Sequence, residues 1–223
     1  GYTCGDLFLQ EKLLREAKEE LLHITAFTTD VDAIVFVGLP LAYKGKLYNV
    51  AAALNRGKIL GIVPKTYLPN YNEFYEKRWF SDSEQRMLDT ISLFGKSVPF
   101  TPNLLIHDET SGAVIAAEVC EDLWVPIPPS TRHAGHGANV IVNLSASNET
   151  VGKSEYRKAI ITTHSAKNMC GYVYTSQVSV KVQAIWYSAD MTSSQITAPS
   201  FRIRNTGRGT HSLWGNRPGK MPQ

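Results

Sequence analysis

A layered α/β fold is predicted by three features of this 223-residue chain. Short apolar runs recur along it, each bounded by Gly, Pro, Asn or charge, as strands are. Stretches with three- and four-residue apolar spacing precede and separate them, as helices do. Near the middle of the chain the runs are apolar on both strand faces, the pattern of strands covered on each side rather than half exposed to water. With 43% hydrophobic residues the chain can bury a sizeable core, and its length suits one domain better than two.

The elements follow in order. From Asp6, a candidate N-cap, Leu9, Leu13, Leu14, Ala17, Leu21 and Leu22 recur at helical spacing among Lys and Glu, which predicts an amphipathic helix. AIVFVGLPL from Ala33, LYNVAAAL from Leu47 and KILGIVP from Lys58 then read as strands, as do NLLIHD from Asn103, AVIAAEV from Ala113, NVIVNLS from Asn139 and YVYTS from Tyr172. Helical stretches are expected after Val125 and after Ser154, where Tyr156, Ile160, Ile161, His164 and Ala166 sit among polar positions and Gly171 stands where a helix-ending residue should.

Three cysteines, Cys4, Cys120 and Cys170, form an odd set without metal-ligand spacing, and neither a secretory signal nor a membrane span is recognisable. The expectation is a reduced, cytoplasmic chain without a metal site or membrane partner. The formal charge of +3 is uneven, because residues 178–223 hold six Lys or Arg and one Asp while the remainder is slightly acidic. Arg202, Arg204, Arg208, Arg217 and Lys220 could release counterions from phosphates, but no recognised binding motif accompanies them, so no nucleic-acid partner is expected. No GxSxG elbow, GxxxxGKS phosphate loop or GxGxxG fingerprint is present, which argues against a serine hydrolase, a P-loop enzyme and a Rossmann dehydrogenase.

Two residues stand where strands end. Cys120 follows AVIAAEV and precedes the acidic pair Glu121 and Asp122; an isolated cysteine there is ordinarily a small buried hydrophobe. Lys65 ends KILGIVPK and opens a loop dense in aromatics and acids. If it shares a cleft with a thiol, its ammonium would stabilise the thiolate and the oxyanion formed on attack of an amide, and a carboxylate would still have to move protons. Glu73 and Glu76 are the nearby acids, and Glu76 is expected to pair with Lys77 or Arg78 on the surface. His133 and His136 could serve a metal or a Cys-His pair, although a solvated helix end is the expectation for them.

GYTCGDLF at the start, VPKTYLPNYNEFYEKRWF around Lys65, EVCEDLW around Cys120 and NLSAS at residues 143–147 together resemble the nitrilase-like carbon-nitrogen hydrolases, specifically the glutaminase domains of glutamine-dependent NAD synthetases. The resemblance runs from residue 1 to about 176, with the motifs in order. It implies a four-layer α-β-β-α sandwich, incomplete at both ends, and a Glu-Lys-Cys triad. Carried over, Cys120 is the nucleophile that forms a thioester with glutamine, Lys65 the oxyanion-stabilising lysine and Glu73 a second glutamate that orients it, while Tyr71, Glu121, Ser147 and Lys153 fall where the family contacts glutamine.

The family's general-base glutamate lies on a strand just before the segment resembling GYTCGDLF, so the amino end is read as truncated and the chain as written as inactive. Glu121 is not a ready substitute, since sequence neighbours at a strand end point different ways. Loss of such a base costs about two to four orders of magnitude. The resemblance further implies a separate synthetase region that would use ATP, Mg and deamido-NAD, no cofactor within this chain, and a homo-oligomeric parent enzyme joined through its outer helices. A non-catalytic remnant that keeps the fold and binds a partner, and a stand-alone amidase of the same superfamily, are the alternatives.

The chain is therefore divided into a partial hydrolase domain over residues 1–177 and a tail over 178–223. After Ser176 the family continues with a segment similar to AGxxESTxDLVFSGH, whereas this chain reads QVSVKVQAIWYSADM. Reading the possible codons of Ser176 to Met191 from each third base with the next two permits Ala-Gly-x-Cys-Glu-Ser-Thr-Ser-Asp-Leu-Val-Phe-Ser-Gly-His-Asp, and Trp186 followed by Tyr187 forces the Val. A frameshift near Gln177 is expected, with a non-native or disordered tail beyond it.

Overall fold

The computed structural model describes residues 2–31, 33–83, 88–108, 111–178, 181–187, 202–204 and 210–212. Among the described residues fourteen strands follow one another: β1 (Val35–Tyr43), β2 (Lys46–Asn55), β3 (Lys58–Pro64), β4 (Asn70–Tyr71), β5 (Phe74–Tyr75), β6 (Asp89–Leu93), β7 (Lys96–Phe100), β8 (Leu105–His107), β9 (Val114–Val119), β10 (Val140–Ser145), β11 (Gly171–Val178), β12 (Lys181–Tyr187), β13 (Arg202–Arg204) and β14 (Thr210–Ser212). Three α-helices join them, α1 (Glu11–Phe27), α2 (Pro129–Gly135) and α3 (Lys153–Asn168).

The strands build two five-stranded sheets, ordered β1-β2-β3-β7-β6 and β12-β11-β10-β9-β8. In the first, antiparallel hairpins dominate, and their turns at Lys44-Gly45, Arg56-Gly57 and Phe94-Gly95 all have positive φ at both residues, the geometry that matches strand twist. In the second, β9, β10 and β11 run parallel, with Val140 aligned to Ile115 and to Gly171. The parallel links need crossovers, which α2 and α3 supply.

Strand alternation sorts side chains into layers. On β2, Tyr48, Val50, Ala52 and Leu54 turn toward α1, where Leu21 completes the cluster, while Ala51 turns the other way and meets Val63, Ala117 and Val119 between the sheets. On β9 and β10, Ala116 and Ile141 face the helices with Ile161 and Leu123, whereas Ala117 and Val119 face the first sheet. Gly61 keeps the two sheets close, because a Cβ there would meet the Leu104 side chain at 2.6 Å. The result is the α-β-β-α sandwich, with α1 outside one sheet and α2 and α3 outside the other.

The secondary structure departs from the sequence expectations in three places. Asp6 does not cap α1: the N-cap is Gln10, without a side-chain bond, and Asp6 instead takes Arg78 Nε at 2.6 Å and Trp79 Nε1 at 2.8 Å, which hold its carboxyl well below the usual range. The helix starts later than its spacing predicted, leaving Leu9 outside it, and its apolar face is narrow, with Leu21 1% exposed but Leu22 44%. The hairpin β6–β7 was not anticipated, although its alternation is plain once the Phe94-Gly95 turn is seen: Ile91, Leu93, Val98 and Phe100 are buried and their neighbours are not. The expectation of a non-native or disordered tail falls mostly outside the described residues; within them, residues 181–187 pair antiparallel with β11 as an edge strand. KVQAIWY is rich in β-branched and aromatic residues, which suit such an edge.

Among the described residues no helix is long and apolar enough to cross a membrane.

Candidate active site

Both strand-end residues come to the space between the sheets. Lys65 leaves β3 directly after Pro64, its amide donating to Asn49 O at 2.8 Å, so the backbone stays fastened to β2 while the side chain turns inward. The side chain is 1% exposed, and Nζ donates to both Glu76 oxygens at 2.9 Å. Burial pushes the ammonium down, but neighbouring Cys120, Glu76 and Asp122 outweigh it and hold Lys65 above the ordinary lysine value.

Glu76 reaches Lys65 through the β4–β5 hairpin. Tyr71 pairs with Phe74, leaving Asn72 and Glu73 as the two-residue tip, and Asn72 takes φ 49° there. Glu73 is therefore exposed and accepts from Asn148 Nδ2, while Glu76, three residues on, starts a 3-10 turn and is 2% exposed. This corrects two expectations. The carboxylate that orients Lys65 is Glu76 and not Glu73, and Glu76 is not a surface partner of Arg78, which instead pairs with Asp6.

Cys120 directly follows β9 and opens the 3-10 turn over residues 120–123. Its φ of 50° is uncommon for a residue with a Cβ, and it turns the chain sharply so that the thiol is presented off the strand end. The side chain is buried, 9% exposed, and shares with Lys65 and Glu76 a cavity of about 400 Å³ whose far wall includes Ser145, Thr175 and Ser176. A thiol beside a buried ammonium is arranged for nucleophilic attack, and the ammonium is placed to stabilise negative charge on an oxygen formed there.

The residues assigned to glutamine lie beside this cavity rather than in its walls. Tyr71 Oη donates to both oxygens of Glu121, at 3.0 and 2.9 Å. Burial, then Glu121, pushes the Tyr71 hydroxyl up to about 12, and burial raises the Glu121 carboxyl. Lys153, the first residue of α3, donates to Asn148 Oδ1 and lies 5.2 Å from the Trp124 ring centroid and 5.9 Å from that of Phe74. Glu73, Asn148 and Lys153 thus form one chain of contacts, and Ser147 is buried next to it with its amide on Ser176 Oγ at 3.4 Å. A cation held between aromatic faces opposite a carboxylate suits a ligand carrying both charges.

The histidines stand apart from the thiol. His133 is buried, not solvated: Nε2 bonds to Pro102 O at 2.9 Å, and burial lowers its pKa to about 4. His136 Nδ1 bonds to Arg132 O at 2.7 Å on its own helix. Among the described residues no group of three His, Cys, Asp or Glu could hold a metal ion.

Sequence reasoning missed Glu76, Asp122 and Asn148. For Asp122 a signal existed: an acid three residues beyond a buried strand end, where orphan amides gather. The choice of Glu76 over Glu73 carried no linear signal.

Two stacked sheets covered by helices, with a thiol and a buried ammonium sharing the cavity between them, define an α-β-β-α sandwich with a nucleophile-bearing cleft. The profile described as carbon-nitrogen hydrolase matches residues 1–204, and the chain belongs to that family. It is 38% identical over 177 residues to a glutamine-dependent NAD(+) synthetase of Mycobacterium bovis, covering 79% of this chain and 26% of that protein. It is 33% identical over 178 residues to the Aquifex aeolicus protein of the same description, covering 80% and 28%. Among solved structures, a glutamine-dependent NAD(+) synthetase from Cytophaga hutchinsonii superposes with a TM-score of 0.71 at 30% identity, over 83% of this chain and 30% of that one. The chain spans about a quarter of the length of these curated relatives.

Proposed function

We propose that the chain is the glutamine amidohydrolase portion of a glutamine-dependent NAD synthetase. The observation that carries the reading is the Lys65–Glu76 pair, buried and held at 2.9 Å, in one cavity with the Cys120 elbow. In the proposed reaction the Cys120 thiolate attacks the side-chain amide carbon of glutamine, Lys65 stabilises the tetrahedral oxyanion, ammonia leaves, and water releases glutamate from the thioester. Tyr71, Glu121, Ser147 and Lys153 are proposed to seat glutamine's α-amino and α-carboxylate groups, Glu121 facing the cation and Lys153 the anion.

Proton transfer needs a further carboxylate. Glu76 is paired with Lys65 and Glu121 with Tyr71; the resemblance to the glutaminase domains implies a general-base glutamate on a strand preceding the GYTCGDLF segment, and that residue is the proposed base.

The ammonia is proposed to amidate deamido-NAD in a separate region. The ATP and Mg such a ligation uses are proposed to bind in that separate region. Glutamine hydrolysis at Cys120 calls for neither. Cytoplasmic residence and self-association of the parent enzyme through its outer helices belong to the same proposal.

Ammonia release from glutamine should be measured for the chain extended by its upstream segment, for its Cys120→Ala variant, and for the chain alone. Release by the first and neither of the others supports the reading in full. No release from the folded, extended protein would overturn the glutaminase assignment in favour of another amide or a binding role.

A further inference from the structure

We infer that Asp122 is a positioning residue that fixes the distance between Cys120 and Lys65. Its carboxylate is 2% exposed and lies outside the cavity walls, so it acts on the site through the backbone. Oδ2 accepts from the Val119 amide at 2.9 Å, and Oδ1 accepts from the Tyr67 amide at 2.8 Å and the Thr66 amide at 3.2 Å. Val119 immediately precedes the thiol, while Thr66 and Tyr67 immediately follow the lysine.

The two strand ends so joined belong to different sheets. β9 and β3 share no ladder, so the spacing between their last residues is not set by strand pairing. One side chain, two residues past Cys120, supplies that link. It also satisfies three amides freed where the chain leaves its strands, and buried amides of that kind need acceptors. Burial, then the neighbouring Glu118, pushes the Asp122 carboxyl up to about 7, so it lends negative charge to Lys65 only as it ionises and its main action is through the three amides. Because Cys120 holds a positive φ, a loosened turn has a more common backbone conformation to relax into, and the thiol would swing away from the ammonium.

The kinetic part of this inference rests on the glutaminase reading; the thiol part does not. Asp122→Asn keeps the volume but turns one acceptor into a donor facing an amide hydrogen, so one of the two ties must open. The test compares wild type with Asp122→Asn in the extended chain, reading Cys120 alkylation by iodoacetamide, with the site identified by peptide mass, alongside kcat and KM for glutamine. The expected result is alkylation slowed about tenfold or more and kcat lowered about ten- to a hundredfold, with KM nearly unchanged, in a variant that still melts cooperatively. Equal or faster alkylation together with an unchanged kcat would overturn the inference. Slowed alkylation in a protein that never releases ammonia would uphold the positioning role and remove the glutaminase reading instead. Should Asp122→Asn not fold, the wild-type amide proton shifts of Val119, Thr66 and Tyr67 decide: one shared titration midpoint supports a common carboxylate, and unrelated midpoints or none overturn it.

Discussion

Lys65 and Glu76 form a two-oxygen ion pair with both side chains almost wholly removed from water, at 1% and 3% exposure. Such a pair is costly to make and costlier to break, since removing one partner leaves a lone buried charge. Glu76→Gln is expected to destabilise the fold by about 3–5 kcal/mol in urea unfolding. Glu73→Gln, at the exposed hairpin tip, should change stability by about 0.5 kcal/mol or less. Comparable losses in the two variants would contradict the assignment of Glu76 as the lysine's partner.

Tyr71→Phe removes the hydroxyl that holds Glu121 at 2.9 Å. If Glu121 seats the substrate ammonium, the variant should raise KM for glutamine about tenfold, the equivalent of one charge-assisted hydrogen bond, while kcat changes little. Steady-state kinetics in the extended chain check this. A fall in kcat at constant KM would place Tyr71 in the chemical step instead.

His133 gives a pH signature independent of catalysis. Its folded-state pKa of about 4 lies below its ordinary value of 6.5, chiefly because burial disfavours the cation. A depressed folded pKa means the unfolded chain binds the proton more readily, so this contribution to stability is complete above pH 6.5 and is lost as pH falls toward about 4. The span amounts to about 3 kcal/mol. Urea midpoints measured through this window should fall steeply in wild type and less steeply in His133→Gln; parallel profiles would show that His133 is not the group responsible.

The coding sequence beyond Gln177 tests the proposed frameshift. Codons for Ser176 to Met191 whose shifted frame spells the glutaminase segment are expected, and codons incompatible with it would exclude a shifted frame. The strand pairing of residues 181–187 does not bear on the question, because KVQAIWY has the composition of an edge strand in whichever frame it arose.

Linear order and residue type alone determined the α/β character, the seven apolar strand runs, and the strand-end placement of Cys120 and Lys65. They could do so because strand periodicity is local, and a residue that closes a buried run must emerge at a sheet end. Only tertiary structure decided which partners those residues meet. Two glutamates three residues apart are equivalent in the sequence, and the two-residue tip at Asn72 and Glu73 turns one to water and the other into the core. Asp122 gains its role in the same way, from amides 55 and 56 positions distant that arrive through the stacking of two sheets. Hydrogen bonds and ion pairs of this kind depend on distances of about 3 Å, which are set only when separate elements pack.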